Sequence, residues 1–189
     1  MVAERGLNIE KSLGIPGWME REELEWLAFE ASRHKVIVEI GSYLGRSSRA
    51  LGEHVQGVLY CVDHWLGPKE FNPEDQPFPV EMLYDTFLGH TKDLRSEGRL
   101  IPIRLDSLEA AGGWGFESPD MVFIDGSHDL QSIKDDMQAW AKVIKPGGLF
   151  CGHDAHWPGV AEARRLLLPQ HMTGVGSIWA VDNFKGLLC

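Results

Sequence analysis

The sequence predicts an open α/β sheet, mostly parallel and doubly wound, with helices on both faces. Three observations carry this. Short, near-continuous apolar runs alternate with amphipathic stretches along the chain, the pattern of successive βαβ units. Several of those runs close on an acidic or imidazole side chain, as at Asp63, Asp125 and His153-Asp154. In an open α/β sheet, that carboxyl edge is where ligands sit. Finally, Val36–Leu51 reads as strand, glycine-punctuated turn and helix, the unit that brings backbone N–H groups and a helix N-terminus close to a ligand.

Residues 1–16 read as a loose lead-in ending at the Pro16-Gly17 turn. Met19–His34 is an amphipathic helix, with Leu24, Leu27, Ala28 and Ala31 at helical spacing and acidic residues in its first turn. It packs on the sheet and could help roof a pocket. Val36-Ile37-Val38 is the first strand, Glu39–Gly45 the turn and Arg46–Leu51 the helix that follows. The turn lacks the third glycine of a dinucleotide fingerprint and the Gly-Lys-Ser/Thr of a Walker A loop. Glu39, two places before Gly41, would repel a pyrophosphate and suits a cationic ligand. The plainer reading is a tight turn with a capping serine.

Gly57–Asp63 is the second strand. Asp63 lies 22 residues after Gly41, near the spacing at which an acid reaches a ribose hydroxyl. A loop or capping carboxylate is the plainer alternative. His64 and Trp65 follow; Trp65 would stack on a base or cover the sheet edge. Residues 66–79 are dotted with prolines and read as a candidate lid loop. Val80–Arg95 is a helix. Arg99–Leu105 is the third strand, and Pro102 puts it at an edge. Asp106-Ser107 caps a helix over Leu108–Ala111, with contact to an adenine edge as a second reading. Pro119–Asp125 is the fourth strand and Leu130–Val143 the next helix. Lys145–Gly148 turns into a fifth strand, Leu149–Gly152. Val160–Leu168 is a helix and Val175–Val181 the last strand. No repeat or compositional break divides the chain, so residues 1–189 form one domain.

Composition excludes some classes. A net charge of −10 argues against a nucleic-acid binder, which needs a basic face. Three cysteines without metal-type spacing point to reduced thiols and a cytoplasmic setting. The first ten residues lack the apolar core of a secretory signal, and no apolar run is long enough to span a membrane. A homo-oligomer stays open.

If the first, fourth and fifth strands are neighbours, Asp125, His128, His153 and Asp154 cluster beside the glycine turn. Two carboxylates and an imidazole suit Mg²⁺, Mn²⁺ or Fe²⁺ better than a thiolate-loving metal. The same set also reads as a general base with its orienting acid. Helix capping or water binding is the plainer reading for each residue alone. His156 is close in sequence and could join them. The tryptophans at 18, 26, 114, 140, 157 and 179 read as core or cover.

Taken in order, these motifs resemble a known family. Val38–Ser47, Val62–Trp65, Phe123–His128 and Lys145-Pro146-Gly147-Gly148 through Asp154, led by Ile15–Trp18, are similar to class I S-adenosylmethionine-dependent methyltransferases. More narrowly, they resemble bacterial small-molecule O-methyltransferases of the macrocin O-methyltransferase type. The resemblance spans roughly residues 15–181. It implies a Rossmann-like fold and methyl transfer from S-adenosylmethionine to a small-molecule hydroxyl. It assigns cofactor binding to Glu39, Gly41, Ser42, Gly45, Ser47, Asp63, His64, Asp106, Ser107 and Asp125. Asp125, His153 and Asp154 fall on metal-ligand positions for Mg²⁺ or Mn²⁺, and His128 on that of a general base. His153 departs from the pattern, because metal-dependent members carry a carboxylate there. That departure leaves a metal-free, histidine-assisted route open. Two other readings share the fold: a nicotinamide-dependent oxidoreductase, disfavoured by the missing glycine and by Glu39, and a non-catalytic cofactor-binding protein.

Overall fold

The computed structural model describes residues 7–67, 78–168 and 174–187. Six strands form one sheet: β1 (Val36–Ile40), β2 (Val58–Asp63), β3 (Leu100–Arg104), β4 (Met121–Ile124), β5 (Leu149–Gly152) and β6 (Trp179–Val181). Their order is β3-β2-β1-β4-β5-β6. All pairs are parallel except β5 with β6, which run antiparallel. The expected doubly wound sheet is therefore present. From β1 the chain adds β2 and β3 on one side, then returns to add β4 and β5 on the other. A crevice opens where that order reverses, beyond the carboxyl ends of β1 and β4.

Strand side chains alternate between two helical layers. Ile37, Leu59, Met121 and Phe123 face α2 (Arg21–Ala31), α3 (Arg46–His54) and α4 (Leu83–His90), meeting Leu24, Leu27, Leu51 and Phe87. Val38, Ile40, Val62, Val122 and Ile124 face α7 (Leu130–Trp140) and α8 (Pro158–Leu167), meeting Ile133, Met137, Trp140 and Val160. Burial on both faces explains why these strands read as continuous apolar runs. Among the described residues, no helix is long and apolar enough to cross a membrane.

Several expectations need correction. Among the described residues the lead-in is not loose: α1 (Glu10–Leu13) forms, and Ile9 and Ile15 are buried. Arg46 holds it, donating to the carbonyls of Leu13 and Ile15 at 3.2 and 2.7 Å and of Met19 at 3.0 and 2.8 Å. No local periodicity encodes that tie. The first strand continues through Glu39 to Ile40, because both neighbouring strands pair with it there. The helix expected over residues 80–95 is broken. A 3₁₀ turn (Val80–Met82), α4 and α5 (Lys92–Ser96) replace it, separated at Thr91, whose φ of −110° leaves the helical range. The last strand is only three residues long, since Val175–Ile178 closes a turn with a 2.9 Å hydrogen bond. Pro102 does sit on an edge strand, opposite Cys61 of β2. The lid expected over residues 66–79 lies largely outside the described residues.

Candidate active site

A cleft of about 550 Å³ opens at the carboxyl ends of β1, β2, β4 and β5. Its floor begins at Gly41, where φ is +85°. A Cβ there would lie 2.1 Å from the carbonyl oxygen of Asp125. Only glycine lets the ends of β1 and β4 approach this closely. The turn is then pinned from β2. Asp63 accepts the N–H groups of Ser42 and Tyr43, both at 2.9 Å, and that of Trp65 at 2.6 Å. Three of roughly four acceptor positions on the carboxylate are thus used within the protein. Asp63 still lines the cleft, as do Gly41, Ser42, Ser47 and His64.

Two expected cofactor residues do not reach the cleft. Glu39 is fully buried inside β1. The two-residue period of a strand turns it away from the face of Ile40, toward the start of α3. Its Oε2 accepts Ser42 Oγ at 2.6 Å and also Ser48 Oγ. Burial raises its pKa, against the opposing pull of those hydroxyls. Gly45 caps α3 and packs behind the turn against Phe87 and Thr91, away from the cleft. Trp65 packs against Tyr84 and Phe87 in the core, its Nε1 donating to the carbonyl of Tyr43 at 2.8 Å, and it also borders the cleft.

Asp106 fulfils the capping reading offered by the sequence. Asp106 caps α6 (Ser107–Gly112) by accepting Leu108 N–H at 2.9 Å, and Ser107 Oγ accepts Trp140 Nε1 at 2.8 Å. Both also line the cleft. Beside them is Asp136, buried on α7, which the sequence reading did not single out. Burial pushes its pKa up to about 6, against the hydrogen bond from Ser107. A raised carboxyl pKa favours the fold at low pH, and that contribution is lost as pH rises through about 4 to 6. Asp136→Asn is therefore expected to gain up to about 3 kcal/mol over the wild type at pH 8 and roughly half as much at pH 5. Urea denaturation at the two pH values measures this; an equal or absent gain at both contradicts it.

At the other end, β4 and β5 deliver the charged group expected from sequence. Asp154 is its hub. Its Oδ2 lies 2.7 Å from His128 Nε2, and its Oδ1 lies 3.4 Å from His153 Nδ1. The same Nδ1 is 3.6 Å from Asp125 Oδ1. Asp154 adopts a φ of +56°, rare for a residue with a side chain, which aims it back at both imidazoles. Burial opposes its charge, but hydrogen bonds with His128 and His153 hold its pKa well below the usual carboxylate range. Burial pushes Asp125 up to about 7, with the negative charges of Asp154 and Glu39 adding to it and His153 opposing. Burial would lower His153, but the carboxylates of Asp154, Asp125 and Glu23 outweigh it and raise the imidazole to about 9. His156 is exposed and stands outside the cleft. Asp125, His153 and Asp154 each offer a ligand atom within 4.8 Å of the others, close enough together to hold a divalent cation.

A family model described as "Methyltransferase domain" matches residues 38–155, which contain the glycine turn, Asp63, Asp125 and the Asp154 group. The chain belongs to the methyltransferase-domain family. The fold of this chain recurs in solved structures. Cofactor-bound Rv0187 from MTB is 14% identical with a TM-score of 0.67, covering 94% of this chain and 88% of that one. The O-methyltransferase from Bacillus cereus in complex with SAH is 18% identical with a TM-score of 0.63, covering 96% and 93%. The O-methyltransferase TomG from Streptomyces achromogenes, in complex with SAM, is 16% identical with a TM-score of 0.61, covering 94% and 87%. A curated relative, the uncharacterized protein y4gI of Sinorhizobium fredii (strain NBRC 101917 / NGR234), is 25% identical over 179 residues. The match covers 86% of this chain but 19% of that relative, so the chain spans about a fifth of its length.

Two aromatic residues of the cleft were read from sequence only as core or cover. Trp157 stacks on His128, with ring centroids 4.6 Å apart and planes at 21°, and is nearly half exposed. Trp18 stands over Tyr43 at 5.3 Å and is 69% exposed. Both line the cleft. Their positions, just after Asp154 and just after the Pro16-Gly17 turn, were the available signal.

Proposed function

We propose that this methyltransferase moves the methyl group of S-adenosylmethionine to a hydroxyl oxygen of a small molecule, with help from a divalent cation. One observation carries the reading: the pinned glycine turn and the Asp125–His128–Asp154 group share one cleft. The turn, Ser47 and Asp63 would hold the cofactor, with the remaining acceptor position of Asp63 toward the ribose. Asp106 and Ser107 would border the adenine. His128, held by Asp154, would take the acceptor's hydroxyl proton as the oxygen attacks the methyl carbon. Asp125, His153 and Asp154 would hold the cation. When bound, a divalent cation lowers the pKa of a coordinated hydroxyl and aligns it for attack. The exposed rings of Trp18 and Trp157 support an acceptor with a flat or apolar face. The narrower likeness to the macrocin O-methyltransferase type rests on the sequence motifs alone.

The same reading includes a cytoplasmic setting, supported by Cys61 and Cys151, which are free and buried. It includes no nucleic-acid or membrane partner; a homo-oligomer is compatible with it. Calorimetric titration with S-adenosylhomocysteine tests the cofactor. Micromolar binding, about −8 kcal/mol, is expected, with no heat from NAD⁺. Asp63→Ala is expected to weaken that binding at least tenfold, through loss of both the turn's anchor and the ribose contact. NAD⁺ binding in place of S-adenosylhomocysteine would favour the oxidoreductase. Cofactor binding without turnover across a screen of phenols, sugars and aliphatic alcohols would favour the non-catalytic reading.

A further inference from the structure

Glu23 belongs to the N-terminal helix α2, yet its carboxylate is buried behind the cation-binding group. Three segments meet on it. Oε2 accepts the N–H of Glu20 at 2.8 Å. Oε1 accepts the N–H of Ser177, 154 residues away, at 2.6 Å. The same Oε1 lies 3.2 Å from His153 Nε2, an ionic contact outside hydrogen-bond alignment. Close approach is built into the backbone. Gly176 has a φ of +59°, and a Cβ there would lie 2.5 Å from Glu23 Oε1. His153 is thus held between one carboxylate behind Nε2 and two in front of Nδ1.

That placement has a chemical consequence. An imidazole ligates through one nitrogen, and the partner of the other nitrogen decides which. A carboxylate behind Nε2 favours hydrogen there, so a cation entering between Asp125 and Asp154 would displace the Nδ1 proton and take that nitrogen as its ligand. The resulting donor set is one nitrogen and two carboxylate oxygens. Mg²⁺ prefers an all-oxygen shell, whereas imidazole suits first-row transition ions. The Nδ1 separations of 3.4 and 3.6 Å fit as well. A tetrahedral shell with bonds of about 2.1 Å has edges of about 3.4 Å.

We propose that Glu23 is a positioning residue for His153, and that this pair makes the site select a first-row transition ion over Mg²⁺. The inference rests on the cation-assisted reading above and deepens it by naming the class of ion. It also gives the histidine that departs from the family pattern a role of its own.

The test uses metal-free, full-length protein titrated separately with Co²⁺ and Mg²⁺, followed by calorimetry and by the visible absorption of bound Co²⁺. Wild type is expected to bind Co²⁺ at least 100-fold more tightly than Mg²⁺. His153→Asp is expected to shrink that ratio at least tenfold and to change the Co²⁺ spectrum. Glu23→Gln is expected to weaken Co²⁺ binding about 10- to 100-fold, with Mg²⁺ binding changed less than threefold. Thermal unfolding runs alongside, because Glu23 also anchors Ser177 and Glu20. A merely structural role would lower the melting temperature and leave the Co²⁺ spectrum and the ion ratio of the folded protein unchanged, which overturns the proposal. If Glu23→Gln does not fold, an unchanged ion ratio in His153→Asp overturns it instead. Wild-type protein that binds S-adenosylhomocysteine but neither ion overturns the cation-assisted reading itself. Binding of both ions with equal affinity overturns only the inference drawn from Glu23 and His153.

Discussion

Replacing His128 with alanine is expected to lower kcat by about 10²–10⁴-fold, the usual range for a lost general base, with cofactor affinity kept. His128 sits at the cleft with its Nε2 2.7 Å from Asp154 Oδ2, and Trp157 stacks on its ring. The carboxylate and the indole together fix where the imidazole points. The glycine turn and Asp63, proposed to hold the cofactor, are contributed by β1 and β2, so they should survive the change. Single-turnover rates and S-adenosylhomocysteine titration separate the two effects, and unchanged turnover would remove His128 from the mechanism. Asp154→Asn extends the test. It weakens the hold on His128 and on His153 together, so it should lower both kcat and cation affinity, whereas His128→Ala should spare the cation.

The second large effect is expected from Gly41→Ala. The added methyl would meet the Asp125 carbonyl oxygen at 2.1 Å and its carbon at 2.6 Å. Both are backbone atoms, so no side-chain rotation relieves the clash, and the φ of +85° adds strain for any L-residue. The ends of β1 and β4 must part, carrying Ser42 away from Asp125. A stability loss of about 4 kcal/mol or more is expected, with cofactor affinity down at least 100-fold. Gly89→Ala is the control. It lies in α4 with nothing within 4 Å of the new methyl, and should gain about 0.5–1 kcal/mol from helix propensity. Urea denaturation of both variants gives the comparison, and a Gly41→Ala protein as stable as wild type would refute the packing account.

The strands carrying the site were legible because β1, β2, β4 and β5 are buried on both faces, which forces continuous apolar runs. The polar residues closing those runs were legible for the same reason, since an acid after such a run must leave the sheet at its carboxyl edge. Asp125, His128, His153 and Asp154 therefore lie together as expected, and Pro102 marks an edge strand. The Asp106 cap was equally local, made within three residues.

Glu39 shows where local reading stops. Its distance from Gly41 said that it was near the turn, but the side to which it pointed depended on how far β1 continued. Pairing with both β2 and β4 carries the strand to Ile40, and the two-residue period then buries Glu39 beneath Ser42 of the turn and Ser48 of α3. The ordered lead-in depends likewise on Arg46 reaching back to carbonyls about thirty residues earlier in the chain. Glu23 is the furthest case, joined to His153 and Ser177 by contacts that no spacing in the sequence encodes. By itself the sequence determined the layered α/β class, the central strands and the chemical groups at their carboxyl ends, because burial along one element leaves a periodic trace. Only the tertiary structure decided which of those groups face one another. Contacts between elements follow strand order, register and close backbone approach, which are set by the packing of the whole sheet.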